Sequence, residues 1–504
     1  MTHPLVSDPA AAGAEDSGPP RDPIGPLWQP ATIRARCAAV AQAVEDGRSG
    51  WFSIDRAALP ALAQQVADLI RQRFPDLQVP LHSRWRHFQA GGVDRAAELE
   101  AALASREPLD AARARIDLTI VSVLLDAGAG ADWHYEEGRG GAAAALALPA
   151  HRQGRDALLA LLDQASGTSA APVPAPAPSA AAEGAAEEPA ETPEPTPTQS
   201  PAQTATAATA VTAAAPLKRY ARSEGLAVAS FRAFMDGTFS NRAEDPLRVD
   251  ARVLTRLDAA ALRAVFQAGP SNAMPGLEGR AELLRRLGAV LEEQAGGGTR
   301  TARPSQLLEP WLSSGEPVDA AELLARLAHE WAPIWLHGSR VLGLPGGDVW
   351  RHLWAGSASP EGPHAPTGGW VPFHKLSQWL VYSLAEPLQA AGVALTGLDQ
   401  LTGLPEYRNG GLLIDGGVIV PRDPRDLART WKAGDELVVE WRALTVHLLD
   451  ELAAEVRREL GLTPAQLPLA AVLEGGTWLA GRAMAQRLRG GQPPLRIDSD
   501  GTVF

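Results

Sequence analysis

A single cysteine, Cys37, stands among 504 residues, so no disulfide can form within the chain, and the thiol falls inside a helical apolar pattern. That scarcity fits a reducing compartment, and a cytoplasmic location is the expectation. No block of Lys and Arg offsets the formal net charge of −13, which argues against a surface built for nucleic-acid backbone. Nucleic acid is not an expected partner. No apolar run approaches bilayer length, and the first thirty residues have neither a basic start nor an apolar centre, so neither a membrane span nor a signal peptide is expected. Two further motifs are missing. In "HEWAPIWLH" the histidines His329 and His337 lie eight apart, not in the H-E-x-x-H spacing that puts two imidazoles on one helical face, and no G-x-S-x-G nucleophile elbow occurs. Neither a metal nor another cofactor is expected, although scattered Asp and His residues leave a mononuclear site open.

What is present is 45% hydrophobic, enough to bury one large core. Residues 1–30, rich in Pro, Ala, Gly and Asp, read as a disordered tail. From residue 31, Ile33, Cys37, Val40 and Val44 share a helical face, and a second amphipathic helix starts at an Asp55 cap with Leu59, Leu62, Val66, Leu69 and Ile70 turned inward. Residues 166–216 contain no aromatic side chain and no Lys or Arg, so this stretch cannot repay its ordering entropy and reads as a linker or a solvated insertion. Beyond it, helical periodicity dominates 251–267, 318–331 and 447–460, and "AELLRRLGAVLEEQAGGG" stacks Leu283, Leu284, Leu287, Val290 and Leu291 before three glycines. The strand candidates are "LLIDGGVIV" at 412–420 and "ELVVEW" at 436–441. The expected fold is mainly α, a single large helical domain with a minor β element.

"SVLLDAGAGADWHYEE" is spelled like a nucleotide loop, with Gly128 and Gly130 after Asp126, yet Trp133 occupies the third glycine position and no βαβ repeat follows. Another role for Asp126 is expected. In "PFHKLSQWLVYSLAEPL" helical spacing sets Lys375, Trp379 and Tyr382 on one face, either a pocket wall for an anionic or planar ligand or a lysine lying over ordinary packing. "LTGLPEYRNGG" gathers Glu406, Tyr407, Arg408 and Asn409 before a glycine pair, and "FMDGTFSN" puts Asp236 in a glycine turn. "HSRWRHF" brings Arg84, Trp85, Arg86 and His87 close enough to capture a phosphate or carboxylate. Each of these, taken singly, also has a structural reading.

Read in order, "LHSRWRHF", "SVLLDAGAGADWHY", "RSEGLAVASFRAFMDGTFS", "VPFHKLSQWLVYSL", "LTGLPEYRNGGLLIDGGVI", "LEGGTWLAGR" and "SDGTVF" resemble the uracil-degradation protein family of fungi and bacteria. The resemblance implies one catalytic domain from 31–137 and 218–504, with 138–217 as an inserted Ala/Pro-rich loop. A more distant similarity joins "LLDA", "FHKLSQ" and "LTGLPEYRNGG" to the queuosine-salvage N-glycosylase family, which implies a DNA-glycosylase-like helical fold and hydrolysis of a base–ribose bond. On that similarity Asp126, Glu406 and Tyr407 are the catalytic candidates. Lys375 and Arg408 would bind the phosphate of a substrate, and Asp236, Trp133 and Trp379 are further pocket candidates. Glu406 stands where that family has Asp, and its aromatic base slot is replaced by "GAGADW", which suits a smaller leaving group.

Together the two resemblances imply an N-glycosidase of ribosylurea or its 5-phosphate, releasing urea and ribose or ribose phosphate. The expected partner is thus a small ribosyl substrate, with association to other uracil-degradation enzymes left open. Two alternatives remain: an amidohydrolase cutting the ureido C–N bond, and a non-catalytic partner of another enzyme of the route.

Overall fold

The stretch "ELVVEW", read as a strand from its β-branched residues, is instead the opening of a 25-residue helix, Glu436–Leu460. Strand propensity spans only about 1 kcal/mol and gives way to context. Here Leu437, Val438, Val439, Glu440 and Trp441 are all buried, so every face of the helix packs. Asp435 in extended backbone begins it and Gly461, at φ 68°, ends it in the left-handed region. Around this helix lie Pro30–Glu45, Leu59–Arg73 and Tyr407–Asp415. A second buried pair, Pro108–Leu124 and Lys375–Ala390, is flanked by Arg222–Met235. The fold is mainly helical, and one continuous apolar core runs through these elements.

The computed structural model describes residues 22–130, 132–138, 218–296, 302–336, 339–358, 365–498 and 501–502. Most of the expected tail, 1–21, and nearly all of the expected insertion, 139–217, lie outside them. Residues 22–30 belong to the packed unit and not to a tail: Gly25–Trp28 form a 3-10 turn whose Leu27 and Trp28, with Ile24, bury against Ala328, Val341 and Trp370.

The β structure among the described residues is six two-stranded pairs. The expected strand at 412–420 shrinks to Ile419–Pro421, antiparallel to Phe52–Ile54, because residues 412–415 complete a helix that Gly416 and Gly417 then break. His134–Glu137 pairs antiparallel with Lys218–Ala221, with Glu137 opposite Lys218, so the two sides of the 139–217 segment lie next to each other. Thr430–Lys432 and the near-terminal Arg496–Asp498 form a parallel pair. Cys37 is fully buried in the Pro30–Glu45 helix, and desolvation pushes its thiol far above the ordinary range, so it is inert packing. No helix among the described residues is long and apolar enough to cross a membrane.

Candidate functional site

The 108–124 helix ends just before Asp126, whose carboxylate is turned into the protein and is 7% exposed. Arg84 fixes it there. Arg84 Nη1 lies 2.7 Å from Asp126 Oδ2, while Nε donates to Ser122 Oγ at 2.6 Å and Nη2 to the Ser122 carbonyl at 2.8 Å. Burial alone would raise the Asp126 carboxyl, but Arg84, with His87, Lys375 and Arg408 around it, holds it below the ordinary aspartate range. Asp126 Oδ1 has no protein partner among the described residues.

The glycine loop that follows is not a phosphate cradle. A helix precedes it and a strand follows it, the reverse of a nucleotide loop, and its carbonyls are tied down: Arg280 donates to the carbonyls of Leu125 at 3.1 Å and Gly128 at 2.9 Å. Gly130, at φ 82°, turns against Pro275, where a Cβ would sit 3.0 Å from Cδ.

Glu406 comes from the other side of the chain. Pro405 ends the preceding loop, and Glu406 caps the 407–415 helix: Oε2 accepts from the Arg408 N–H at 2.8 Å and Oε1 from the Asn409 N–H at 2.7 Å. Lys375 opens its helix after His374, a residue held at φ 45°, and its backbone N–H donates to Asp348 Oδ2 at 3.1 Å. Asp348 is itself clamped by Arg442, with both Nη atoms at 2.7 Å, and by Trp350 Nε1 at 2.6 Å. The Lys375 ammonium is pulled below the ordinary lysine range by burial, against the opposing pull of Glu406 and Asp126.

These groups line one cavity of about 430 Å³, a size typical of small-molecule sites. Asp126, Lys375, Trp379, Glu406, Tyr407 and Arg408 all border it. The Arg408 guanidinium lies 4.0 Å from the centroid of Trp478 and 5.2 Å from that of Tyr407, and its Nε and Nη2 are buried without an acceptor, as is Trp379 Nε1. Two cations, Lys375 and Arg408, thus border the cavity together with Asp126 and Glu406.

Two expected residues are elsewhere. Trp133 is a core side chain: its Nε1 donates to the Phe266 carbonyl at 2.9 Å, and it packs edge-on to Phe266 and against Gly225. Its place in "GADW" put it beside Asp126 in sequence, but the chain turns it inward. Asp236 is an exposed residue ending the 222–235 helix, with Arg232 and Glu98 as its charged neighbours, and does not border the cavity. Tyr382, expected on the face of Lys375 and Trp379, is fully buried with its hydroxyl 3.3 Å from the Thr402 carbonyl. In "HSRWRHF" the arginine Arg84 is committed to Asp126, so its guanidinium is not free for a ligand, whereas His87 borders the cavity and burial, with Arg84, pushes it down to about 4. Not singled out from the sequence were His82, Trp478 and residues of the 491–498 stretch, which also border the cavity. Their only signal was that they fall in or beside "LHSRWRHF", "LEGGTWLAGR" and "SDGTVF".

A family model described as "Protein of unknown function (DUF1688)" matches residues 26–146 and 205–504. The chain belongs to this family. Across the DUF1688 match, residues 147–204 are passed over, and both carboxylates and their cavity lie in the matched parts. Similar curated proteins are Protein urg3 of Schizosaccharomyces pombe, 32% identical over 94% of this chain and 96% of that protein, and Uracil catabolism protein 4 of Lachancea kluyveri, 29% identical over 96% and 99%.

Proposed function

We propose that this chain acts in uracil degradation, as the name of its Lachancea kluyveri relative indicates for that protein, and that its reaction is hydrolysis of the N-glycosidic bond of ribosylurea or its 5-phosphate. The observation that carries the reading is that Asp126 and Glu406, 280 residues apart in sequence, border one cavity. Cleaving a ribosyl C–N bond builds positive charge on the sugar, and a fixed carboxylate stabilises that charge far better in a desolvated site than in water. Asp126, anchored through Oδ2 with Oδ1 uncommitted, suits that task. Glu406, oriented by its two backbone N–H donors, suits the holding of a water or of sugar hydroxyls. Arg408, whose guanidinium lies at the cavity over Trp478 and Tyr407, and Lys375 favour the phosphorylated substrate, because a guanidinium and an ammonium are cationic donors suited to a phosphate.

The test is the product released from ribosylurea and from ribosylurea 5-phosphate by the purified protein. Urea with free sugar supports the reading, with higher kcat/KM for the phosphate. Ammonia replaces it with an amidohydrolase, and no product from either replaces it with a non-catalytic partner.

A further inference from the structure

Neither carboxylate of the glycosidase reading is placed to give a proton. Asp126 is paired with Arg84, and both oxygens of Glu406 accept backbone N–H groups. Urea leaves readily only if its nitrogen is protonated as the bond breaks, so a donor is required. Besides Tyr407, a donor candidate from the sequence that also borders it, the cavity holds a histidine carried in "LHSRWRHF". His82 borders it, 4% exposed, between the rings of Trp379 and Trp478, each 5.9 Å away centroid to centroid. Its Nδ1 lies 2.6 Å from Glu474 Oε2, and its Nε2 has no partner among the described residues.

Glu474 owes its position to a wide turn. Leu473–Thr477 forms a π-helical turn, a form frequent at functional sites, and it is pressed against the 59–73 helix and the chain beyond it. A Cβ at Gly475 would lie 2.6 Å from Val79 Cγ1, and one at Gly476 2.7 Å from Val66 Cγ1, so only glycine permits that approach. The 82 end is also pinned, since the His82 N–H donates to the Ala470 carbonyl at 3.0 Å. A carboxylate on Nδ1 selects the tautomer, orients the ring and stabilises positive charge on it, leaving Nε2 as the atom that exchanges protons.

We propose that His82, positioned by Glu474, is the catalytic acid of this site. The inference rests on the glycosidase reading. In the step, the C1′–N bond breaks and its electron pair passes to the urea nitrogen, which takes the proton of His82 Nε2. Water forms the new C1′–O bond and gives up one proton, which restores the imidazolium by way of the cavity carboxylates or solvent. The net change is one water consumed, with urea and the free sugar formed.

The experiment compares two substrates: ribosylurea (or its 5-phosphate) and 4-nitrophenyl β-D-ribofuranoside, whose leaving group departs as a stable anion without a proton. His82→Gln is expected to lose about 100-fold in kcat on the urea substrate but less than about threefold on the nitrophenyl riboside. Glu474→Gln, which leaves the imidazole in place, should show the same selectivity with a loss of about tenfold. Equal losses on both substrates in Glu474→Gln, or no loss on either in both variants, overturns the acid role while the glycosidase reading stands. Failure of the wild-type protein to cleave either substrate removes that reading and the acid role with it.

Discussion

Asp126 and Arg84 form a buried ion pair, so a change at Asp126 acts on stability and on chemistry together. Asp126→Asn keeps an acceptor for Arg84 but leaves a buried guanidinium without its counter-charge, so a drop of about 3–5 kcal/mol in unfolding free energy is expected by urea titration. Turnover should fall at least about tenfold in the fraction that remains folded. Glu406→Gln offers one acceptor to two N–H donors, so its cost should be about 1 kcal/mol, again with at least about tenfold loss of rate. Wild-type-like turnover in both would remove the assignment. His87 makes a pH prediction. Its imidazole is pushed down to about 4 in the folded chain, while an unfolded histidine titrates near ~6.5. The folded state thus binds fewer protons between these values, so this contribution is complete above the unfolded value and is lost as pH falls towards the folded one, by up to ~3 kcal/mol. His87→Gln should flatten that part of a stability-versus-pH curve. At this scale Asp126, Lys375, Glu406 and Arg408 were legible because each sits in a compact motif. Trp133 and Asp236 sit in equally suggestive motifs, and only packing direction separates them from the site.

Helix starts and helix contacts set the positions of these groups. Asp348, which does not itself border the cavity, accepts from Arg442, Trp350 and the backbone of Lys375, and so ties the start of the 375–390 helix to the 436–460 helix. Asp348→Asn removes the charge opposite a buried arginine; a loss of about 3–5 kcal/mol is expected in chemical denaturation. Gly481 is a contact where two helices meet: a Cβ there would lie 2.3 Å from the Arg408 carbonyl oxygen. Gly481→Ala should cost about 1–3 kcal/mol through overpacking and displace the 407–415 helix, which would appear as a raised KM alongside a lowered Tm. The helix at 436–460 also shows why element type was only partly readable. Its second half follows a clean helical period, whereas its first turns are buried on all faces and lose the alternation that marks a helix. The same holds for the buried run at 116–125, where periodicity cannot separate strand from helix.

For the molecule as a whole, the pairing of Glu137 with Lys218 means that a short turn can replace the segment between them. Closure entropy changes only slowly with loop length. Replacing 141–215 by a short Gly/Ser loop is therefore expected to leave Tm within about 3 °C and kcat/KM within about twofold, checked by calorimetry and steady-state kinetics. A collapse of either would show that the segment contributes to the folded unit or to its cavity.

The sequence by itself determined the mainly helical class, the exclusion of a disulfide framework, and the short motifs that carry Asp126, Lys375, Glu406 and Arg408, because composition, period and capping are local properties of the chain. Tertiary structure alone decided which of the suggestive side chains share a cavity, that Arg84 neutralises Asp126, and that a glycine-permitted wide turn sets Glu474 against His82. Those are contacts between residues 42 to 392 positions apart, and no local pattern encodes a distance across the fold.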